Sequence, residues 1–252
     1  MMRKVVIAML VVFVTALVVG GATILGALLG LLFRRLSSER LGHVLAASAG
    51  IMLAAAILGL IEPSLGYGGR LSWVVTVAGI FAGALTIHKM EGLLPKLRAL
   101  AGLPEGAEDQ DKMLLFVAAI LIHKLPEGLA AGVGFGTDST LDALLIAGGI
   151  AAQNIPEGMI VAVPMLHAGV SLPRTLLCGV LTASVEFLGT LFGFWAVTVV
   201  SSLLPFGLAF AGGTMLYVLL GQLQSSELDF PGTCSVLAGF SVMVVCMELL
   251  GG

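Results

Sequence analysis

Eight apolar runs, each of about 20 residues or more, fill most of this 252-residue chain and constrain it more than any other feature. They fall at about 5–32, 41–62, 71–92, 113–134, 141–165, 173–201, 204–224 and 232–250. A run of that length spans the hydrocarbon core of a bilayer as an α-helix. Hydrocarbon offers no partner to backbone N–H and C=O groups, so a segment crossing it must satisfy them itself, which a helix does. Composition agrees, with 58% hydrophobic residues, a mean hydropathy of +1.10 and only 11% charged residues, against roughly 25% in soluble domains. The expected fold class is an all-α polytopic membrane protein, one transmembrane domain over 1–252 with the lipid bilayer as its solvent. The sixth and seventh runs are separated only by Ser201, Ser202 and Pro205; joined, they would reduce the count to seven. The first run follows Arg3 and Lys4 but continues to Phe33 without a small-residue cleavage site, so it reads as a span rather than a signal peptide.

Orientation follows from the basic residues of the short connections. One side receives Arg34, Arg35, Arg40, Lys89, Lys96, Arg98, Lys112 and Arg174, while the other receives Arg3, Lys4 and Arg70. The richer side is cytosolic by this rule, which places both termini outside the cytosol, in a plasma or bacterial inner membrane. The longest connection, 93–112 between the third and fourth spans, is then a cytosolic loop of mixed charge. Net charge is -3 and there is no basic patch, so nucleic acid is not an expected partner. Cys178, Cys234 and Cys246 stand singly within spans and read as packing residues. Small-residue helix faces permit a homodimer but serve packing within one chain equally well.

Two stretches break the apolar pattern at depth: H-K-L-P-E-G from His123 to Gly128, and Q-N-I-P-E-G from Gln153 to Gly158. A third P-E-G, Pro104 to Gly106, lies in polar surroundings and reads as a turn. His123, Gln153 and, on the sixth span, Glu186 fall near the middle of their runs. Ionisable groups there cost about 2.5–3.5 kcal/mol each and face one another or a polar pathway. At about 100° per residue, Lys124 lies about 100° from His123 and Glu127 about 40°, so Glu127 stands between them one turn along. Gln153, Asn154 and Glu157 repeat the arrangement. Packed face to face, the two helices would form a central carboxylate pair flanked by His123 and Gln153 on one side and by Lys124 and Asn154 on the other. Pro126 and Pro156 have no N–H for the carbonyls of Ile122 and Ala152, which leaves backbone oxygens free beside the cluster. Gly128 and Gly132, like Gly189 and Gly193, carry the small-xxx-small spacing of close helix approach.

Imidazole nitrogen, carboxylate and amide oxygen without thiolate make a ligand set for Zn²⁺, Fe²⁺, Mn²⁺ or Co²⁺. Glu127, Glu157 and Glu186 against Lys124 sum formally to -2, which one divalent cation would neutralise. The remaining polar residues are more ordinary. His43, His88 and His167, and likewise Glu62, Glu91 and Glu248, lie near span ends and read as interfacial. His88 and Glu91 share a helix face at i, i+3, an arrangement compatible with a place on the way in or out. Met52, Met90, Met113, Met159 and Met165 read as packing residues.

These residues resemble the ZIP (Zrt-, Irt-like protein) family of divalent metal transporters, most closely its bacterial GufA-like branch. The resemblance is carried by A-x-L-I-H-K-L-P-E-G-L-A-A-G, by Q-N-I-P-E-G on the next span, by S-V-E-F-L-G-T on the sixth and by G-G-T-M-L-Y-V-L-L on the seventh. It implies eight helices in a 3+2+3 arrangement, termini outside the cytosol and a transport site between the fourth and fifth spans. It also implies that His123, Glu127, Gln153 and Glu157 bind the main transported metal, with Asn154 and Glu186 belonging to an adjacent second site. Zn²⁺ is the expected substrate, with Fe²⁺, Mn²⁺, Co²⁺ and Cd²⁺ as alternatives, and no cofactor is implied. Family members with two metals commonly have Asn where this chain has Lys124; an ammonium there should repel a second cation, so a mononuclear site is expected. Gln222 and Gln224 stand on the seventh span where relatives often place an acidic or histidine residue. The expected function is alternating-access transport toward the cytosol. The rivals are a metal-proton exchanger, a proton-coupled carrier of organic solutes, a purely structural membrane protein, and an intramembrane metalloenzyme. The last is disfavoured because the chain has no H-E-x-x-H motif.

Overall fold

The structure, a computed structural model, describes residues 2–32, 37–67, 71–92, 109–137, 139–167, 169–225 and 229–251. Its helices are α1 (Met2–Leu32), α2 (Ser38–Ala54), α3 (Glu62–Tyr67), α4 (Ser72–Glu91), α5 (Asp109–Gly134), α6 (Thr140–His167), α7 (Leu172–Val199), α8 (Leu204–Ser225) and α9 (Phe230–Gly251). A π-helical segment, Ala55–Ile61, joins α2 to α3, so the two cross as one span. Among the described residues there is no strand, and seven helices are long and apolar enough to cross a membrane. The expected fourth span is α5, a 26-residue helix that runs through Pro126. The sixth and seventh runs are separate helices, divided by a single 3₁₀ turn at Ser201–Leu203. Most of the 93–112 connection, including the third P-E-G, lies outside the described residues; α5 begins at Asp109.

Short polar side chains start several helices by accepting orphan backbone N–H groups. Ser37 accepts from the Arg40 amide at 3.4 Å before α2, Ser139 from Asp142 at 3.2 Å before α6, and Asp229 from Gly232 at 2.8 Å before α9. Gly169, at φ 79°, turns the chain after α6 while the amide of Val170 returns to the Met165 carbonyl at 3.0 Å.

The most extensive helix contacts join elements distant in sequence: α1 with α6, α5 with α7, α4 with α8, and α2 with α9. Facing glycines set each of them. A Cβ on Gly193 would lie 2.6 Å from the Leu129 carbonyl oxygen, and Gly132 meets the Thr190 carbonyl in the same way. Gly26 and Gly158 lock α1 to α6, Gly83 and Gly213 lock α4 to α8, and Gly50 and Gly239 lock α2 to α9, each against a backbone oxygen of its partner. With α1 also lying along α7, the spans sort into two groups, α1/α5/α6/α7 and α2–α3/α4/α8/α9. Met52, Leu60, Ile87, Ile146, Ile150, Leu208 and Met215 are fully buried in the core, whereas Phe81, Leu188 and Phe230 point outward, as lipid-facing residues do.

The broad α5–α6 contact expected from the matched motifs is not how these helices pack. α5 lies chiefly on α7 and α6 on α1, and α5 meets α6 over a narrower strip. The physical reason is the glycine pattern: Gly128 and Gly132 face α7, and Gly158 faces α1, so backbone approach is closest there.

Candidate metal centre

Lys124 is the centre of the polar cluster. Its side chain is almost wholly buried, and its Nζ donates to Glu127 Oε2 at 2.5 Å on its own helix, to Glu157 Oε2 at 2.5 Å and to Asn154 Oδ1 at 2.8 Å on α6. Glu186 Oε1 on α7 stands 3.5 Å away. Helical spacing explains the first contact, since i and i+3 share a face. The contact with Glu186 follows from the glycines that bring α7 within reach of α5, one of them, Gly128, resting on the Glu186 backbone itself.

Asn154 and Glu186 are further tied. Asn154 uses its amide to donate to Glu186 Oε1 at 2.6 Å and to the Val19 carbonyl at 3.0 Å. Thr23 on α1 donates to Glu186 Oε2 at 2.7 Å. Fully buried carboxylates demand such partners, because an unmatched charge in a medium of low dielectric constant is very costly. The cluster therefore draws on α1, α5, α6 and α7, all within one helix group. Thr23 and Val19 carried no signal in the sequence, where a threonine in an apolar run reads as ordinary packing.

Two expected ligands are not hydrogen-bonded into this cluster. His123 is bonded instead to α4, its Nε2 lying 3.0 Å from Oε1 of Glu91. The other oxygen of Glu91 accepts from the Tyr217 hydroxyl on α8 at 3.0 Å, and His88 Nδ1 lies 2.9 Å from that hydroxyl. Glu91 and His88, read as interfacial, are thus joined in one hydrogen-bonded chain to an expected ligand. The shared face of His88 and Glu91 was the available signal; Tyr217 had none beyond its place in the G-G-T-M-L-Y stretch. Gln153 is completely buried, and neither its amide oxygen nor its amide nitrogen has a hydrogen-bond partner. Its backbone carbonyl accepts from Ser48 of α2 at 3.3 Å. A buried amide without partners costs about 1–3 kcal/mol, so this oxygen is available to any cation that arrives beside it.

Among the described residues no group of three or more His, Cys, Asp and Glu side chains has the geometry to hold a metal ion. In this arrangement the carboxylates are spent on an ammonium. Three glutamates against one lysine leave a formal excess of two negative charges. Glu62, Asp142 and Glu248 line a cleft of about 440 Å³ at the opposite end of the bundle from Glu91, together with Thr137 and Tyr67. Gln222 and Gln224 are exposed at the end of α8, and all three cysteines are free.

The sequence profile of the ZIP Zinc transporter family matches residues 104–247, which include the whole cluster apart from α1. The chain is 35% identical to the zinc transporter GufA of Myxococcus xanthus over 249 residues, covering 94% of this chain and 98% of the relative. It is 32% identical to the zinc transporter ZupT of Chlorobium chlorochromatii (strain CaD3), covering 94% and 96%, and 31% identical to the zinc transporter ZIPB of Bordetella bronchiseptica, covering 91% and 78%. These relatives are transporters rather than enzymes.

Proposed function

We propose, from the premise that this chain belongs to the ZIP zinc transporter family, that it carries one Zn²⁺ ion at a time toward the cytosol through the polar strip between α5 and α6. Glu127 and Glu157 supply the compensating charge, while His123 and Gln153 replace part of the hydration shell. The single observation carrying the mononuclear reading is the position of Lys124. Its ammonium sits among Glu127, Asn154, Glu157 and Glu186, the oxygens that would otherwise surround a second cation. A fixed positive charge repels a further divalent ion, and it gives the carboxylates a resting partner that the incoming metal displaces. Alternating access follows if the two helix groups rock against one another, with the termini outside the cytosol as expected from the basic residues of the connections. Fe²⁺, Mn²⁺, Co²⁺ and Cd²⁺ suit the same donor set to different degrees.

The test is radiolabelled zinc uptake into proteoliposomes combined with metal analysis of the purified protein. Glu127→Ala and Glu157→Ala should each abolish uptake. Wild-type protein should hold one zinc ion in this cluster and Lys124→Asn two. Uptake surviving loss of Glu127 would refute the transport site, and an unchanged stoichiometry in Lys124→Asn would refute the role given to the lysine.

A further inference from the structure

The chain from His123 through Glu91 and Tyr217 to His88 joins the two helix groups. His123 belongs to α5, whereas Glu91, Tyr217 and His88 belong to α4 and α8. A carboxylate only accepts, so in the His123–Glu91 bond Nε2 carries the hydrogen; only Nδ1 keeps a lone pair, on a ring that the bond holds to α4. Glu91 is held in turn: its second oxygen is fixed by the Tyr217 hydroxyl, which His88 fixes from the far side. The hydroxyl separates His88 from the carboxylate, and these three side chains do not form a metal-holding group. Meanwhile the carboxylates of the Lys124 cluster are satisfied without His123.

We infer that Glu91 is a positioning residue that competes with the transported metal for His123: it clasps the imidazole across the two helix groups and releases it to the site when the groups separate at that end. Whether the site has its histidine then depends on how the groups lie. With the clasp closed, a bound metal loses one ligand and is easier to release; with it open, the imidazole is free to bind. The inference rests on the transport reading above and adds to it a residue outside the ligand set.

The experiment uses the full chain in nanodiscs and proteoliposomes, as wild type, Glu91→Ala and the milder Glu91→Gln, each with and without His123→Ala. Affinity is measured by titration with Zn²⁺ and, by absorption, with Co²⁺. Glu91→Ala should bind metal about tenfold to a hundredfold more tightly, the equivalent of one charge-assisted hydrogen bond. Glu91→Gln should move the same way by less. KM and the maximal uptake rate should both fall, because release is slowed. Neither substitution should alter affinity when His123 is alanine, and without metal the His123 ring ¹⁵N resonances should move in Glu91→Ala. Weaker binding in Glu91→Ala would overturn the competition and make Glu91 an orienting or direct ligand. An equal effect in the His123→Ala background, or unmoved ring resonances, would overturn it too. Wild-type protein that binds and carries metal while indifferent to Glu91→Ala sinks the clasp alone; wild-type protein that binds none sinks the transport reading and the clasp with it.

Discussion

Lys124 holds three glutamates from three helices at one point, so its removal should be felt as folding stability before it is felt as transport. Lys124→Met keeps the bulk of the side chain and leaves the buried carboxylates without their cation, a change that costs about 3–5 kcal/mol when one partner of a buried pair is deleted. Thermal unfolding in detergent should show a clearly lowered midpoint, with zinc restoring more of it than it adds to wild type, because the ion then supplies the missing charge. An unchanged midpoint would mean that the ammonium is not what keeps these carboxylates together. The cluster was legible in the sequence because Glu127 lies one turn from Lys124, and because charges at that depth must find partners. His123 lies on the helix expected for it, but its partner was not legible. An imidazole chooses between neighbours by rotamer, and Glu91 comes from a helix whose packing against α5 no local spacing records.

At the scale of the helix, contact is decided by glycine. Gly193→Leu would drive a side chain into the Leu129 carbonyl and push α7 off α5, whereas Gly21 on α1 has nothing within 4 Å of a built Cβ. The expected outcome is that Gly193→Leu loses folded yield and thermal stability. Gly21→Ala should be neutral, or gain up to about 1 kcal/mol from helix propensity. Comparable loss from both would show that close backbone approach is not the controlling term. Gly128 with Gly132, and Gly189 with Gly193, announced their interface by spacing alone, and the two pairs do meet. The π-helical segment at Ala55–Ile61 gave no such notice. Its residues are ordinary for an apolar span, and Gly59 within it packs so closely on Ile146 of α6 that a Cβ would strike that side chain.

At the scale of the whole molecule, the separation into two groups has a direct consequence for transport. Val133 on α5 and Gly207 on α8 face each other across the groups, with a Cβ on Gly207 3.4 Å from Val133 Cγ1. Ala27 on α1 and Gly179 on α7 lie within one group, at 3.4 Å between Cβ positions. Both pairs are close enough for a disulfide. In a background freed of Cys178, Cys234 and Cys246, oxidising Val133→Cys with Gly207→Cys should stop zinc uptake until reductant is added. Oxidising Ala27→Cys with Gly179→Cys should leave uptake intact. Undiminished uptake in the first case would rule out relative motion of the groups at that point. The all-helical, membrane-spanning architecture was legible from hydropathy, but which spans belong together was not, since apolar faces alone do not name their partners.

The pairing of α2 with α9 also bears on how the chain is made. α2 leaves the ribosome well before α9, and Gly50 of α2 rests against the Val236 carbonyl of α9. Until α9 is made, α2 therefore lacks the helix it packs on most extensively, and α1 likewise waits for α6 and α7. One group can close only once α7 is inserted and the other only once α9 is, so neither is assembled by pairing each helix with the one made just before it.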